Sequence, residues 1–399
     1  MTTRAIRMIR HILAAILLIA SAGAGAELYL RRQMPDTPSW VCSGSSCAMQ
    51  PLLIPSETHH HLLRPGAEKS ITVNGNRVRY QINSLGTRGT EVTVPKPAGT
   101  FRILVLGDET VFGPRLPQES TLPGQIQKLL SGTTSAHVEV VNGGVPGYCP
   151  LLGWLAYEYR LKELDPDLIV LHFDMTDVAD DARYRSLYVE TAGQPPVCLH
   201  ESLMNPNTIP RVDGVLQTIR NSAVVSLMLE KTRDYLRTSS AVAADLPTCS
   251  SPIAWALDNP PDVRIQVRHA LSVLVHLKKA LAGTDTQLLV TTCPSVWQVV
   301  PGSEHIGCAS MCQLNGSTPL TSRLPFDVLA AYCEQQGIRF LDASASFLQS
   351  QTPEVLFWMD DGALGPAGTT LYARSIAAYL VQSPPRTWNQ DPGRLSRAR

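Results

Sequence analysis

The sequence has no excess of charge of either sign. Lysine plus arginine and aspartate plus glutamate stand at 34 each, giving a formal net charge of +0. No overall field therefore draws the chain to nucleic acid or to an acidic surface, and no nucleic-acid partner is expected. Charged residues of all kinds make up only 17%, while prolines number 30. That balance excludes a charged helical array and predicts long loops around an apolar centre. Internal repeats are absent, which excludes a solenoid. The nine cysteines contain no C-x-x-C pair, so a paired zinc motif is missing as well. What is present is 399 residues, 44% of them apolar. That suits one large domain with insertions, or two smaller ones, with ample material for a core.

The N-terminus carries a targeting pattern. Arg4, Arg7 and Arg10 precede an uncharged run from Ile12 to Ala26, and "LYL" continues it across Glu27 before Arg31 and Arg32. From Ile12 to Leu30 a helix reaches roughly 28 Å, close to the hydrocarbon thickness of about 30 Å. Residues 1–32 read as an uncleaved anchor. The alternative is a signal peptide cleaved after "AGA" at Ala24–Ala26. The expectation is a single-pass membrane protein whose main domain is extracytoplasmic, in a periplasm or cell envelope. Cysteine usage suits export. "CSGSSC" (Cys42, Cys47) and "CASMC" (Cys308, Cys312) read as local disulfides; zinc with Cys293 or His305 is the alternative. The odd count leaves a thiol over, with Cys149 and Cys333 as candidates.

Residues 33–65 read as a polar linker, and His59–His61 within it as a solvated run with at most weak metal affinity. Residues 66–100 form a leader in which "ITVNGNRVRYQIN" alternates around Asn74-Gly75, a hairpin signal. The main domain, 101–385, then alternates strand and helix. The strands are "FRILVLG", "AHVEVVNGG", "DLIVLHF", "TQLLVTT" and "IRFLDAS". The helices are 122–130, 151–164, 263–281, 325–336 and 366–381. Uninterrupted apolar strands between helices predict an α/β three-layer sandwich around a five-stranded parallel sheet. A proline-rich insertion occupies about 181–261, and 386–399 is a tail.

In such a sheet, ligands bind beyond the carboxyl ends of the strands. Four segments sit there: "GDET", "NGGVPGY", "FDMTDVADD" and "DDGALGPAG". In order and position they resemble the four blocks of the SGNH, or GDSL, hydrolase superfamily, and the likeness runs from about Ile71 to Leu380 apart from the insertion. The resemblance implies a flavodoxin-like fold, an oxyanion-hole amide at Gly144, and a base-orienting carboxylate at Asp360. It also implies a nucleophilic serine where Glu109 stands, an oxyanion asparagine where Thr176 stands, a glycine where Asp174 stands, and a histidine base where Ala363 stands. Losing the nucleophile or base of such a triad costs on the order of 10⁶ in turnover.

The expectation is therefore a hydrolase-like protein without the hydrolytic machinery, binding a ligand or partner such as a polar or saccharide molecule. The alternatives are a working esterase on acylated saccharides or small esters with a rearranged site, and a structural envelope scaffold. His172, His305, Ser120 and Ser344 are the candidate substitutes, and none is favoured. Asp108, Glu109, Asp174, Asp177, Asp360 and Asp361 are expected on one rim, where they would bind a cation, share protons, or pair with Arg115, Arg183 or Arg185. Paired acids also cleave glycosides at suitable separations. For Glu109 the bland reading is a first-turn acid on a helix dipole. No cofactor and no resident metal is expected.

Overall fold

The computed structural model describes residues 52–203, 253–303 and 322–388, apart from short breaks at 74–75, 134–136, 192–194, 258–259, 261 and 387, with Ile306 described by itself. These residues belong to one contact unit, Gly44–Met204 with Pro247–Arg399; the other unit lies outside the described residues. The expected anchor, both cysteine pairs and His305 also lie outside them. Among the described residues no helix is long and apolar enough to cross a membrane. Cys149, Cys293 and Cys333 are buried free thiols.

Two antiparallel ribbons come first: β1 (Leu53–Pro55) with β2 (His61–Leu63), and β3 (Glu68–Val73) with β4 (Asn76–Gln81). The second is the expected hairpin, with Val73 opposite Asn76. The main domain follows with β5 (Thr100–Gly107), α1 (Glu109–Phe112), α2 (Leu122–Leu130), β6 (His137–Gly144), α3 (Pro150–Tyr159) and β7 (Leu168–His172). After α4 (Asp177–Arg185) a small ribbon pairs β8 (Tyr188–Val189) with β9 (Val197–Cys198). Then come α5 (Arg264–Ala280), β10 (Gln287–Thr292), α6 (Val296–Val299), α7 (Leu324–Gln335), β11 (Arg339–Asp342), α8 (Ser344–Leu348) and α9 (Pro366–Gln382).

The large sheet is parallel throughout, in the order β6-β5-β7-β10-β11. Counted within the sheet this is 2-1-3-4-5, the flavodoxin-like order, whose switch point lies between the first and third strands. Neighbouring residues in a strand face opposite sides, and Leu104 and Val105 are both fully buried, so both faces of β5 are covered. Two groups of helices supply the cover: α2 packs with α9, and α5 packs with α3 and α4. The α/β three-layer expectation holds on this topology.

Four expectations need correction. His59, His60 and His61 are buried, not solvated. His61 Nε2 lies 2.8 Å from the Pro146 carbonyl, Tyr148 donates its hydroxyl to His61 O at 2.7 Å, and the His60 ring stands 4.8 Å from that of Tyr184. These rings fill the space beside the loop after β6, and burial pushes His59 down to about 4 and His61 to about 3. Second, the helix expected over 151–164 ends at Tyr159. Arg160 leaves helical geometry (φ −140°), its guanidinium donates to Leu85 O at 2.9 Å, and a separate 3-10 turn spans Leu161–Leu164. Third, α4 runs through Arg185, so the insertion begins later than 181. Its far end returns to the domain, where buried Trp255 donates its indole N–H to Met175 O at 2.7 Å. Last, the tail is not wholly apart, since Trp388 is buried with its ring 4.9 Å from Phe101.

Candidate functional site

The carboxyl ends of β5 and β7 lie side by side at the switch point, with Leu106 paired to Leu171. Beyond β5, Asp108 caps α1: its Oδ1 accepts from Thr110 N at 2.8 Å. Glu109 is the half-buried first residue of that four-residue helix, which closes on Gly113 in the left-handed region (φ 72°). Gly144 ends β6 directly under α1. A Cβ there would meet Phe112 N at 2.4 Å, so only glycine lets strand and helix approach this closely. Its amide donates to Asn142 Oδ1 at 3.0 Å, while Asn142 Nδ2 donates to Val111 O at 3.1 Å. The amide implied as an oxyanion donor is thus engaged within the fold.

The third segment folds onto itself. Asp174 Oδ1 accepts from Thr176 N (2.7 Å), Thr176 Oγ1 (2.8 Å) and Asp177 N (3.2 Å). Asp177 Oδ2 accepts in return from Asp174 N at 2.8 Å. Thr176 is the N-cap of α4 and spends its hydroxyl on Asp174. Acids crowd here: burial first, then the charges of Asp174 and Glu109, push Asp108 well above the usual carboxylate range. Burial followed by Asp174 and Asp108 does the same to Asp177. Asp180 rises to about 7 through burial and then Asp174 and Glu109, against a smaller opposing pull from Arg183. His172 ends β7, buried, and desolvation holds it down to about 4.

The fourth segment is organised by a cation. Arg115 reaches Asp360 at 2.7 Å and Asp361 at 3.3 Å, and stacks over the Trp358 ring at 4.5 Å. That pairing holds Asp360 below its ordinary range. Asp361 Oδ1 also accepts from Ala363 N at 3.0 Å, which fixes the turn where a base would stand.

Of the six acids expected on one rim, Asp108, Glu109, Asp174 and Asp177 lie close enough to act on one another's charge, and Asp360 and Asp361 pair with Arg115, one of the arginines expected as partners. Arg185 pairs with Asp181 at 2.5 Å, outside the six. Ser344 is buried and accepts from Arg323 at 2.8 Å. Three contributors were not anticipated. Asp180 lies three residues after Asp177, on the same helical face, a spacing visible in "DVADD". Asn142 lies inside a quoted block. Arg88 lies in the leader stretch "NSLGTRG", which resembles the approach to the family's first block, but its role follows only from the structure. Buried and stacked over Tyr80 at 4.6 Å, it donates to the carbonyls of Phe112 and Gly113 (both 2.6 Å) and Leu116 (2.5 Å).

No family model matches the chain, and no curated protein does. Solved structures similar to it include a lipase/acylhydrolase from Enterococcus faecalis, at 11% identity and a TM-score of 0.39 over 72% of this chain and 98% of that one. A catalytic mutant of Axe2, an acetylxylan esterase from Geobacillus stearothermophilus, is similar at 14% identity and a TM-score of 0.38, over 73% and 97%. LAE5, an alpha/beta hydrolase enzyme from the metagenome of Lake Arreo, Spain, is similar at 12% identity and a TM-score of 0.37, over 70% and 94%. At these identities no activity passes from those proteins to this chain.

Proposed function

We propose that the chain is an SGNH-hydrolase-like domain without serine esterase chemistry, which uses the acidic cluster at the switch point to bind a polar ligand. The reading places it outside the cytoplasm, held to a membrane by residues 1–32. The observation that carries it is Glu109 at the head of α1, two residues after the end of β5, where the resembled family keeps its nucleophile. A serine esterase needs a hydroxyl, a base within hydrogen-bond reach, and donors turned toward the developing oxyanion. Here the hydroxyl position holds a carboxylate, and the base position holds Ala363. Arg115 occupies Asp360, the Gly144 amide donates to Asn142, and the Thr176 hydroxyl donates to Asp174.

Carboxylates clustered at strand ends suit a ligand that brings cationic or hydroxyl groups. The purified full-length protein should leave p-nitrophenyl acetate and butyrate at the buffer rate. Turnover that co-purifies with the protein and survives Glu109→Gln would overturn the reading and move the search to another nucleophile.

A further inference from the structure

Among the described residues, one group brings three metal-ligating side chains together. A ring nitrogen of His172 and a carboxylate oxygen from each of Asp108 and Asp174 all lie within 4.8 Å of one another. The polar atoms around that point are assigned in a particular way. Tyr372 donates its hydroxyl to Thr291 Oγ1 at 2.7 Å, so its oxygen is left to accept from His172 Nδ1 at 2.9 Å. The proton of the neutral ring therefore sits on Nδ1, and Nε2 carries the lone pair. Nε2 has no hydrogen-bond partner, and the residue is only 2% exposed. An acceptor of that kind, buried and unsatisfied, is costly unless something fills its need.

The two carboxylates are equally prepared. Asp108 Oδ1 is held by Thr110 N, and Asp174 Oδ1 by Thr176 and Asp177, and the two carboxyl groups also hydrogen-bond to each other. The three side chains are thus oriented by neighbouring polar groups, His172 Nε2 is left unpaired, and an ion would take the place of the proton that the two acids share. Outer-shell groups orient metal ligands in this manner. Two rigid strand ends supply them, β5 for Asp108 and β7 for His172, while half-buried Asp174 opens the point to solvent.

We propose that Asp108, His172 and Asp174 bind one divalent transition-metal ion, with zinc the ion that this set suits. Calcium and magnesium favour oxygen-only sets, whereas one imidazole with two carboxylates suits a borderline ion and leaves a coordination position open. The inference rests on the reading of this cluster as a binding site, but not on the loss of esterase chemistry, so its test involves no ester.

The test is calorimetric titration of zinc into the metal-stripped full-length protein in detergent, repeated with cobalt and read by visible absorption. Asp174→Asn keeps an acceptor for Thr176 and removes a ligand charge, and His172→Asn removes the imidazole. The parent should bind zinc at a site that either substitution weakens at least tenfold, with loss of the cobalt visible band. Circular dichroism melts show whether each variant is folded, and Asp174→Asn alone suffices should His172→Asn fail to fold. Zinc binding unchanged in folded Asp174→Asn would assign the ion to the cysteine pairs or the His59–His61 cluster and overturn the proposal. Absence of zinc binding in the parent, or selective binding of calcium or magnesium, would overturn it as well.

Discussion

Asp180 lies in the first turn of α4, where a helix dipole favours a carboxylate by about 0.3–1 kcal/mol. Burial and the neighbouring Asp174 and Glu109 outweigh that preference and raise the group to about 7. A raised acid binds its proton more tightly when folded. Its contribution to stability is therefore complete below about pH 4 and is lost as pH climbs through about 7. Replacing it with a neutral isostere should remove that loss. Asp180→Asn is expected to match the parent's Tm at pH 4 and to exceed it at pH 8. The gain is about 2 kcal/mol after allowance for partial solvent access, or roughly 4 °C. Thermal melts at the two pH values check this; an equal gain at both, or a loss at pH 8, contradicts the electrostatic account. At this scale the sequence was only partly legible. "DET" and "DMTDVADD" showed that acids would gather at strand ends, but which would share a pocket depended on Arg115, whose reach to Asp360 and Asp361 spans about 245 positions of sequence.

The elements themselves were largely readable, because β-rich runs such as "FRILVLG" and "TQLLVTT" are bounded by glycine or polar turns. Elements whose shape depends on distant partners were not. The break after α3 follows from Arg160 reaching Leu85, and the burial of His59–His61 follows from rings supplied by Tyr148 and Tyr184. Arg88 is the leader's contribution to the site. It holds the carbonyls at the end of α1, the helix that begins with Glu109. Removing its guanidinium leaves three carbonyls without that donor in a buried setting. Arg88→Met should cost about 3 kcal/mol of stability in urea unfolding. Arg88→Lys should recover only part, since an ammonium lacks the planar fork and the stacking on Tyr80 and Phe112. Loss below about 1 kcal/mol in Arg88→Met would show that the leader does not secure α1.

For the whole molecule, the order of strands and helices along the chain was enough to expect a covered parallel sheet, and the 2-1-3-4-5 order places its switch point between β5 and β7. The same order brings the ends of "GDET" and "FDMTDVADD" together, whereas the "DDGALGPAG" turn is bound to Arg115. The central claim, a proposal, is that the acidic cluster stands where the resembled family keeps its nucleophile and carries no serine esterase chemistry. Reaction with a fluorophosphonate probe, with the labelled residue located by peptide mass spectrometry, tests it most directly. The parent is compared with a variant carrying Glu109→Ser, Thr176→Asn and Ala363→His. The account predicts no label on the parent and label at position 109 of the triple variant, beyond anything the single changes give, because members of a triad act as a unit. A labelled serine in the parent, or a folded triple variant that takes no label at position 109, would contradict it.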